Sequence, residues 1–388
     1  MSIVDRWLLP DGVEDVLPPD ALRLEEIRRC LLDLFAAWGY DYVIPPTIEF
    51  LESLLTGTGR DLDLKTFKVV DLVTGRTMGV RADITPQVAR IDAHSLNHPG
   101  VTRLCYAGTV VQAQADSQLG SRIPLSVGAE LFGDSSARAD IEIVSLMIEA
   151  LRSLGLARIH LDLGDVDIFR QLVTRLALTE DQQELLFDAV QRKAIGDIRN
   201  QAHAASLTEA ETQLLCALPG LSGDAGMLAD ARVLFAEHPG VIACIDNLER
   251  VAMAVSSRFD ELDVYFDLSE LRGYAYHTGI VFAAYADDVR QVVAKGGRYD
   301  HIGQVFGRAD RGATGFSVNV RNLLEKVTLQ RQMGRRVTVA PGLEVTPALF
   351  REMQRLRSEG YVVLESGESA DLLLVSEGGE WQLLPGDQ

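Results

Sequence analysis

Residues 104–133 read LCYAGTVVQAQADSQLGSRIPLSVGAELFG. Two apolar runs, 103–111 and 125–132, flank a polar, Gln-rich stretch, a pattern that predicts two antiparallel strands with one face buried. Working upstream, Thr85-Pro86 has the chemistry of an N-cap followed by proline at N1 and opens a helix through residue 91. Residues 67–72 and 77–80 form a hairpin around Thr74-Gly75, and 40–44 form a short strand halted by Pro45-Pro46. Leu24, Ile27, Leu31, Leu34, Phe35 and Trp38 recur at helical spacing, and Gly39 ends that run. Downstream, a helix over 139–154 and a strand over 158–163 complete a first part, residues 1–165. Residues 166–257 then change to successive helical segments broken at Leu178-Thr179 and Leu218-Pro219-Gly220, an inserted helical subdomain. Strands resume at 262–268, 274–285 and 289–295, followed by Gly296-Gly297 and a strand-to-helix unit over 314–327. Residues 328–388 read as a small α/β appendage. The expected fold class is α+β: an antiparallel sheet with flanking helices, a helical insertion and a C-terminal α/β domain.

The chain of 388 residues carries 37 Lys+Arg against 56 Asp+Glu, a formal charge of −19. Such a surface repels phosphate backbones and anionic lipid, and no basic stripe opposes it. The N-terminal MSIVDRWLLPDGVEDVLPPD lacks the basic and apolar regions of a secretory signal, and no apolar run reaches the ~18 residues of a membrane span. A cytoplasmic protein with no membrane association is expected. Cys30, Cys105, Cys216 and Cys244 form no CxxC pair and read as buried thiols, with neither disulfide framework nor metal site. Gly57-Thr58-Gly59 lacks the rest of a phosphate loop and reads as a tight turn. His94 and His98 lie in no HExxH context and read as surface residues, and no GxSxG elbow occurs.

Five segments carry a narrower signal: RADIT (81–85), the 104–133 pair, LRGYAYHTGIVF (271–282), GGRYD (296–300) and TGFSVNVRNL (314–323). In this order and spacing, over about residues 10–325, they resemble the catalytic core of histidyl-tRNA synthetase, a class II synthetase. The LRGYAYHTG segment resembles the histidine-specific motif of that family. Taken singly, Arg272-Gly273 reads equally as a β-turn, GGRYD as a Gly-rich hairpin, Glu130 as an outward edge residue and Asp83 as a helix cap.

The departures from that family decide the expected function. Where the synthetases place an Arg on the ATP α-phosphate and a Glu two residues later, this chain has Gln112 and Gln114. Asn322 matches the Arg that holds the nucleotide tail. Losing one such donor typically costs about 2.7–4 kcal/mol of transition-state stabilisation, so adenylation is expected to be negligible. The amino-acid pocket is better kept. The resemblance implies that Asp83 and Thr85 take an α-ammonium, Glu130 and Tyr276 bracket an imidazole, and Arg272 meets a carboxylate. Here His277 replaces a family Tyr and Ser126 a family Gln. Independently of any family, a zwitterion with a titratable ring needs an anion, a cation and an acceptor for a ring N–H, and Asp83, Arg272 and Glu130 supply that set.

A histidine pocket without adenylation chemistry resembles the regulatory subunits of ATP phosphoribosyltransferase. That resemblance implies no catalysis and no cofactor, a short-form catalytic subunit as partner, L-histidine as feedback effector and no tRNA. A homodimer is expected through the helix over 22–38 and the strand ending at Pro45-Pro46, because that segment resembles the first class II motif and its apolar stripe needs a second copy to cover it. Two other readings remain open at this point: a histidine-activating enzyme and a stand-alone histidine sensor.

Overall fold

Helix Asp20–Ala37 buries Leu24, Ile27, Leu31 and Phe35, one side of a 3.6-residue period. It stops at Trp38, with Gly39 beyond at φ 82°, a left-handed conformation that costs glycine little. The computed structural model describes residues 7–57, 60–115, 120–176, 178–274, 276–287, 289, 291–308, 311–324, 326–327, 334–344, 346–366 and 370–386. Thr58 and Gly59 of the expected tight turn lie outside that set.

The chain divides into two units, Met1–Leu329 and Gln330–Gln388. In the first, the strands are β1 (Asp41–Tyr42), β2 (Ile48–Phe50), β3 (Phe67–Val70), β4 (Thr77–Val80), β5 (Thr102–Thr109) and β6 (Leu125–Phe132). They continue with β7 (Ile159–Asp165), β8 (Ser222–Gly223), β9 (Leu262–Asp267), β10 (Ile280–Ala286), β11 (Ala294–Arg298) and β12 (Ala313–Asn319). Nine of them form one mixed sheet in the order β1-β5-β6-β12-β11-β10-β7-β9-β8, antiparallel at its centre, and β2-β4-β3 form a small antiparallel sheet.

Strand alternation gives the large sheet two different faces. Val127, Ala129 and Leu131 of β6, with Phe316 and Val318 of β12, belong to the main core under helices Asp20–Ala37 and Ala137–Ser153. The intervening Ser126, Glu130, Gly315, Ser317 and Asn319 line a cleft. Helix Pro239–Ser256 packs against β7 and β9. It closes a run of six α-helices among the described residues between β7 and β9, in which Thr179/Gln182 and Thr208/Glu211 form capping boxes. The second unit, by itself, is a four-stranded sheet in the order β14-β13-β15-β16, with β13 Arg336–Val339, β14 Val362–Leu364, β15 Leu372–Glu377 and β16 Glu380–Pro385. Helix Pro347–Ser358 supplies Leu349, Met353 and Leu356 to its core.

Several sequence expectations change. Tyr274 and Tyr276 lie in turns, residues 277–279 are outside any strand, and the strand begins at Ile280. The strand expected over 289–295 is displaced to Ala294–Arg298, with both glycines inside it. A Cβ at Gly296 would meet the Gly315 carbonyl and approach the Phe282 ring to 2.7 Å, so glycine is what lets the strands close there. Thr85 is no cap: the helix starts on Thr85 itself, and Asp83 accepts from the Thr85 backbone N–H at 3.0 Å. The apolar stripe of helix Asp20–Ala37, expected to need a second copy to cover it, is covered by the chain's own sheet. Of the four thiols, Cys105 and Cys244 are buried, whereas Cys30 and Cys216 are half-buried.

Gly315 faces Glu130 across the β6–β12 pairing, and a Cβ at Gly315 would coincide with the Glu130 carboxylate. Gly315→Ala is therefore expected to destabilise the chain by about 1–3 kcal/mol or more, read as a lowered urea midpoint at unchanged slope. An unshifted midpoint would mean that Glu130 yields without cost.

Candidate functional site

Glu130 sits mid-strand in β6, between Leu104 of β5 and Gly315 of β12, and is 1% exposed. Three hydroxyls converge on its carboxyl group. Thr85 Oγ1 donates to Oε1 at 2.9 Å, Tyr106 Oη donates to the same oxygen at 3.3 Å, and Tyr299 Oη donates to Oε2. Room for this knot comes from Gly315 and from Gly128, where a Cβ would lie 2.5 Å from Tyr106 Oη. Burial pushes the Glu130 pKa up to about 8, against the opposing pull of the Tyr299 and Thr85 hydroxyls, so at neutral pH the group holds its proton. The sequence reading treated Glu130 as an open carboxylate acceptor. Instead it is a proton-holding group with most of its lone pairs in use.

Tyr276 stacks on Tyr299 with ring centroids 4.9 Å apart, and its buried hydroxyl has no hydrogen-bond partner among the described residues. Such a donor is costly to leave unpaired, and it lines the cleft. His277 Nδ1 lies 3.2 Å from the Arg298 carbonyl, which can only accept. The Nδ1–H tautomer follows, leaving Nε2 as an acceptor. Burial pushes His277 down to about 4, so the ring is neutral. Arg298 is itself anchored: its Nε bridges both Asp140 oxygens at 3.1 Å, Nη1 reaches Asp300 at 3.0 Å, and Nη2 reaches the Ser136 carbonyl at 3.1 Å.

Glu130, Thr85, Tyr299, Tyr276 and His277 line one end of a cleft of about 850 Å³. Asp83, Thr85, Ser126, Glu130, Arg272, Tyr276 and His277 all line it, as do Gln112 and Asn322. Gln114 does not; it is exposed beyond the cleft. Arg272, expected to be free for a carboxylate, is bound by Glu270 through Nε at 2.9 Å and Nη2 at 2.7 Å, which raises its pKa and neutralises part of its charge. At the other end, Arg321 beside Asn322 pairs with Glu14 at 2.7 Å, and Arg122 Nε donates to the Gln112 carbonyl at 3.1 Å; neither guanidinium lines the cleft. The acidic lining is Asp83, Glu130, Asp162, Asp267 and Glu270, against the cationic Lys65, Arg272 and Lys295 among the described residues. Among the described residues, a triphosphate meets no guanidinium cradle at that end.

Sequence reasoning missed Tyr106 and Tyr299, two of the three hydroxyls on Glu130. Tyr299 lay in the quoted GGRYD, but nothing in its spacing from Glu130 pairs the two. Asp162, Glu270 and Lys295 carry no local motif and reach the cleft only through strand order.

A mixed sheet with an antiparallel centre, flanked by helices and lined on one face by a polar cleft, is the architecture of a class II aminoacyl-tRNA synthetase-like protein. The histidyl-tRNA synthetase family model matches residues 12–323. A histidyl-tRNA synthetase from Nostoc, 15% identical with a TM-score of 0.76, covers 95% of this chain and 91% of its own. It shares the fold. An ATP phosphoribosyltransferase regulatory subunit/histidyl-tRNA synthetase from Bacillus halodurans is 27% identical, with a TM-score of 0.79 over 92% of each chain. Curated ATP phosphoribosyltransferase regulatory subunits from Ectopseudomonas mendocina and Pseudomonas syringae are 47% and 48% identical over 99% of this chain and 99% of theirs. The chain belongs to the family of ATP phosphoribosyltransferase regulatory subunits. Among the described residues, no helix is long and apolar enough to cross a membrane.

Glu130 keeps its proton in the folded chain up to about pH 8 and loses it in the unfolded chain near 4.5. Folding therefore loses stability as pH rises through that interval, by roughly 3–5 kcal/mol for this group. The unfolding free energy of wild type minus that of Glu130→Gln is expected to fall across pH 4.5–8 by that order. Denaturant titrations at several pH values check it, and a flat difference would mean that Glu130 is ionised in the folded chain.

Proposed function

We propose that this chain binds L-histidine at the Glu130 end of the cleft and transmits its occupancy to a catalytic ATP phosphoribosyltransferase subunit of the short form, without activating the amino acid itself. One observation carries the reading. The amino-acid end of the cleft keeps a buried polar constellation with an unpartnered Tyr276 hydroxyl, whereas the nucleotide end offers Gln112 and Asn322 where phosphate needs guanidinium.

In this reading the imidazole lies against Tyr276 and Glu130, with His277 Nε2 as a further acceptor for a ring N–H. The α-ammonium meets Asp83 and the Thr85 hydroxyl, and the α-carboxylate competes with Glu270 for Arg272. A cationic ammonium near Glu130 lowers its proton affinity, so binding near neutral pH releases a proton. The acidic lining also favours a zwitterion over a polyanion. The formal charge of −19 argues against tRNA as a ligand.

A homodimer fits the surface better than the expected helix stripe does. Tyr42 and Ile44 beside β1, Ile48 on β2, and Phe67, Val69, Leu72 and Val73 on the β3–β4 hairpin are all exposed. That concentration of apolar surface marks an interaction face. Light scattering of the full chain is expected to give a dimer, and Ile44→Asp combined with Leu72→Asp a monomer; a monomeric wild type removes this interface.

The functional reading is tested in two assays. ATP–pyrophosphate exchange with histidine is expected to stay at background for the isolated chain, and exchange above background would favour the histidine-activating alternative. In the complex reconstituted with a short-form catalytic subunit, Glu130→Gln presents an amide where an acceptor is required. The histidine inhibition constant is expected to rise roughly tenfold to a hundredfold while activation of the partner persists. An unchanged constant places the effector outside this cleft.

A further inference from the structure

Away from the cleft, a recess of about 550 Å³ opens where helix Asp20–Ala37 ends and helix Ala137–Ser153 begins. None of the cleft residues lines it. Its walls carry three guanidiniums, Arg103, Arg138 and Arg258, against the carboxylate of Glu142, beside the half-buried indole of Trp38.

Glu142 is already committed. It accepts from Arg103 Nε at 2.7 Å and Nη2 at 2.8 Å, and from the Tyr40 hydroxyl at 2.9 Å. Arg258 Nη1 donates to the Ser145 hydroxyl at 2.8 Å and has no carboxylate partner among the described residues. Arg138 makes no side-chain ion pair among them either. Its charge helps to lower the pKa of Asp134, whose carboxylate instead accepts from the Ser136 backbone N–H at 2.8 Å. Two guanidiniums thus stand without carboxylate partners around one concavity, on a chain whose net charge is −19. In so acidic a molecule, partners for surface arginines are plentiful, and leaving two unpaired around a single recess points to an anionic occupant.

We propose that this recess binds a phosphorylated small molecule. Guanidinium forks match phosphate oxygens in geometry as well as charge. Arg138 also lies in the first turn of the 17-residue helix Ala137–Ser153, whose N-terminal dipole favours an anion. The volume exceeds what a lone inorganic anion fills and lies within the range of small-molecule sites. The Trp38 indole supplies an apolar wall for the remainder of the ligand. The site is independent of the histidine reading and stands if that reading fails.

The test uses the full chain, titrated calorimetrically with inorganic pyrophosphate, ribose 5-phosphate and ATP, each without divalent metal. Saturable binding of at least one is expected, weakened about tenfold or more in Arg138→Gln combined with Arg258→Gln, and unchanged in Glu130→Gln. Pyrophosphate alone would identify the phosphate as the recognised group, ribose 5-phosphate a sugar phosphate, and tighter ATP binding with a tryptophan quench that Trp38→Phe abolishes a nucleotide. Both arginines are exposed, so folding is expected to survive, with circular dichroism as the check. Should the double variant fail to fold, each single arginine substitution gives the same reading. Absence of saturable binding with all three probes at millimolar concentration overturns the proposal. So does binding that the arginine substitutions leave intact, which would place the ligand elsewhere. A change of oligomeric state in the double variant without phosphate binding would likewise overturn it and make the recess a subunit contact.

Discussion

A carboxyl group buried in the middle of a nine-stranded sheet is the constraint on which the site depends. Glu130 cannot be left without partners, because an unsatisfied buried carboxyl costs more than most single contacts supply. Its partners come from three places in the chain: Thr85 at the start of a helix, Tyr106 on β5 and Tyr299 after β11. Gly128 clears space for Tyr106, and Gly315 for the carboxyl group itself. The helix start, the register of β5, β6 and β12 and the end of β11 are thereby tied to one another. The proton that Glu130 holds is the cheapest way to keep such a group in low dielectric.

Beside this knot, Arg298 performs a second kind of joining. Its guanidinium ties β11 to the loop before helix Ala137–Ser153 and to Asp140 within it, and its carbonyl orients the His277 ring. A buried pair of this sort is weak evidence for stability but strictly determines geometry, since removing either partner leaves the other charged and unpaired. The result is a graded cleft. Its floor, around Glu130, Tyr299 and His277, is locked by buried hydrogen bonds. Its rim, where exposed Arg272 rests on Glu270, is held by a contact that solvent and ligand can contest. The floor is thus rigid and the rim adjustable.

The distribution of charge completes the separation from the synthetases that share this fold. Catalysis of adenylation requires cations at the phosphates in the transition state. Here the guanidiniums beside Gln112 and Asn322 are engaged outside the cleft, Arg321 on Glu14 and Arg122 on backbone carbonyls and the Phe67 ring. Among the described residues, neither Gln112 nor Asn322 brings a cation to their end of the cleft.

Local periodicity in the sequence determined most of the elements. The helix that buries Leu24, Ile27, Leu31 and Phe35, the β3–β4 hairpin, the β5–β6 pair and the successive helices between β7 and β9 all follow from short-range patterns of burial and turn chemistry. The motif residues pointed to one cleft, and all but Gln114 line it. Sequence could not decide which strands become neighbours, because pairing β6 with β12 depends on side-chain packing across nearly two hundred residues. That pairing brings Tyr299 to Glu130, puts Gly296-Gly297 inside a strand instead of after it, and covers the stripe of the first helix from within. Nor could sequence assign states of ionisation. Glu130 keeps its proton, His277 stays neutral and Arg272 is claimed by Glu270 because of burial and proximity, which exist only once the tertiary structure has formed.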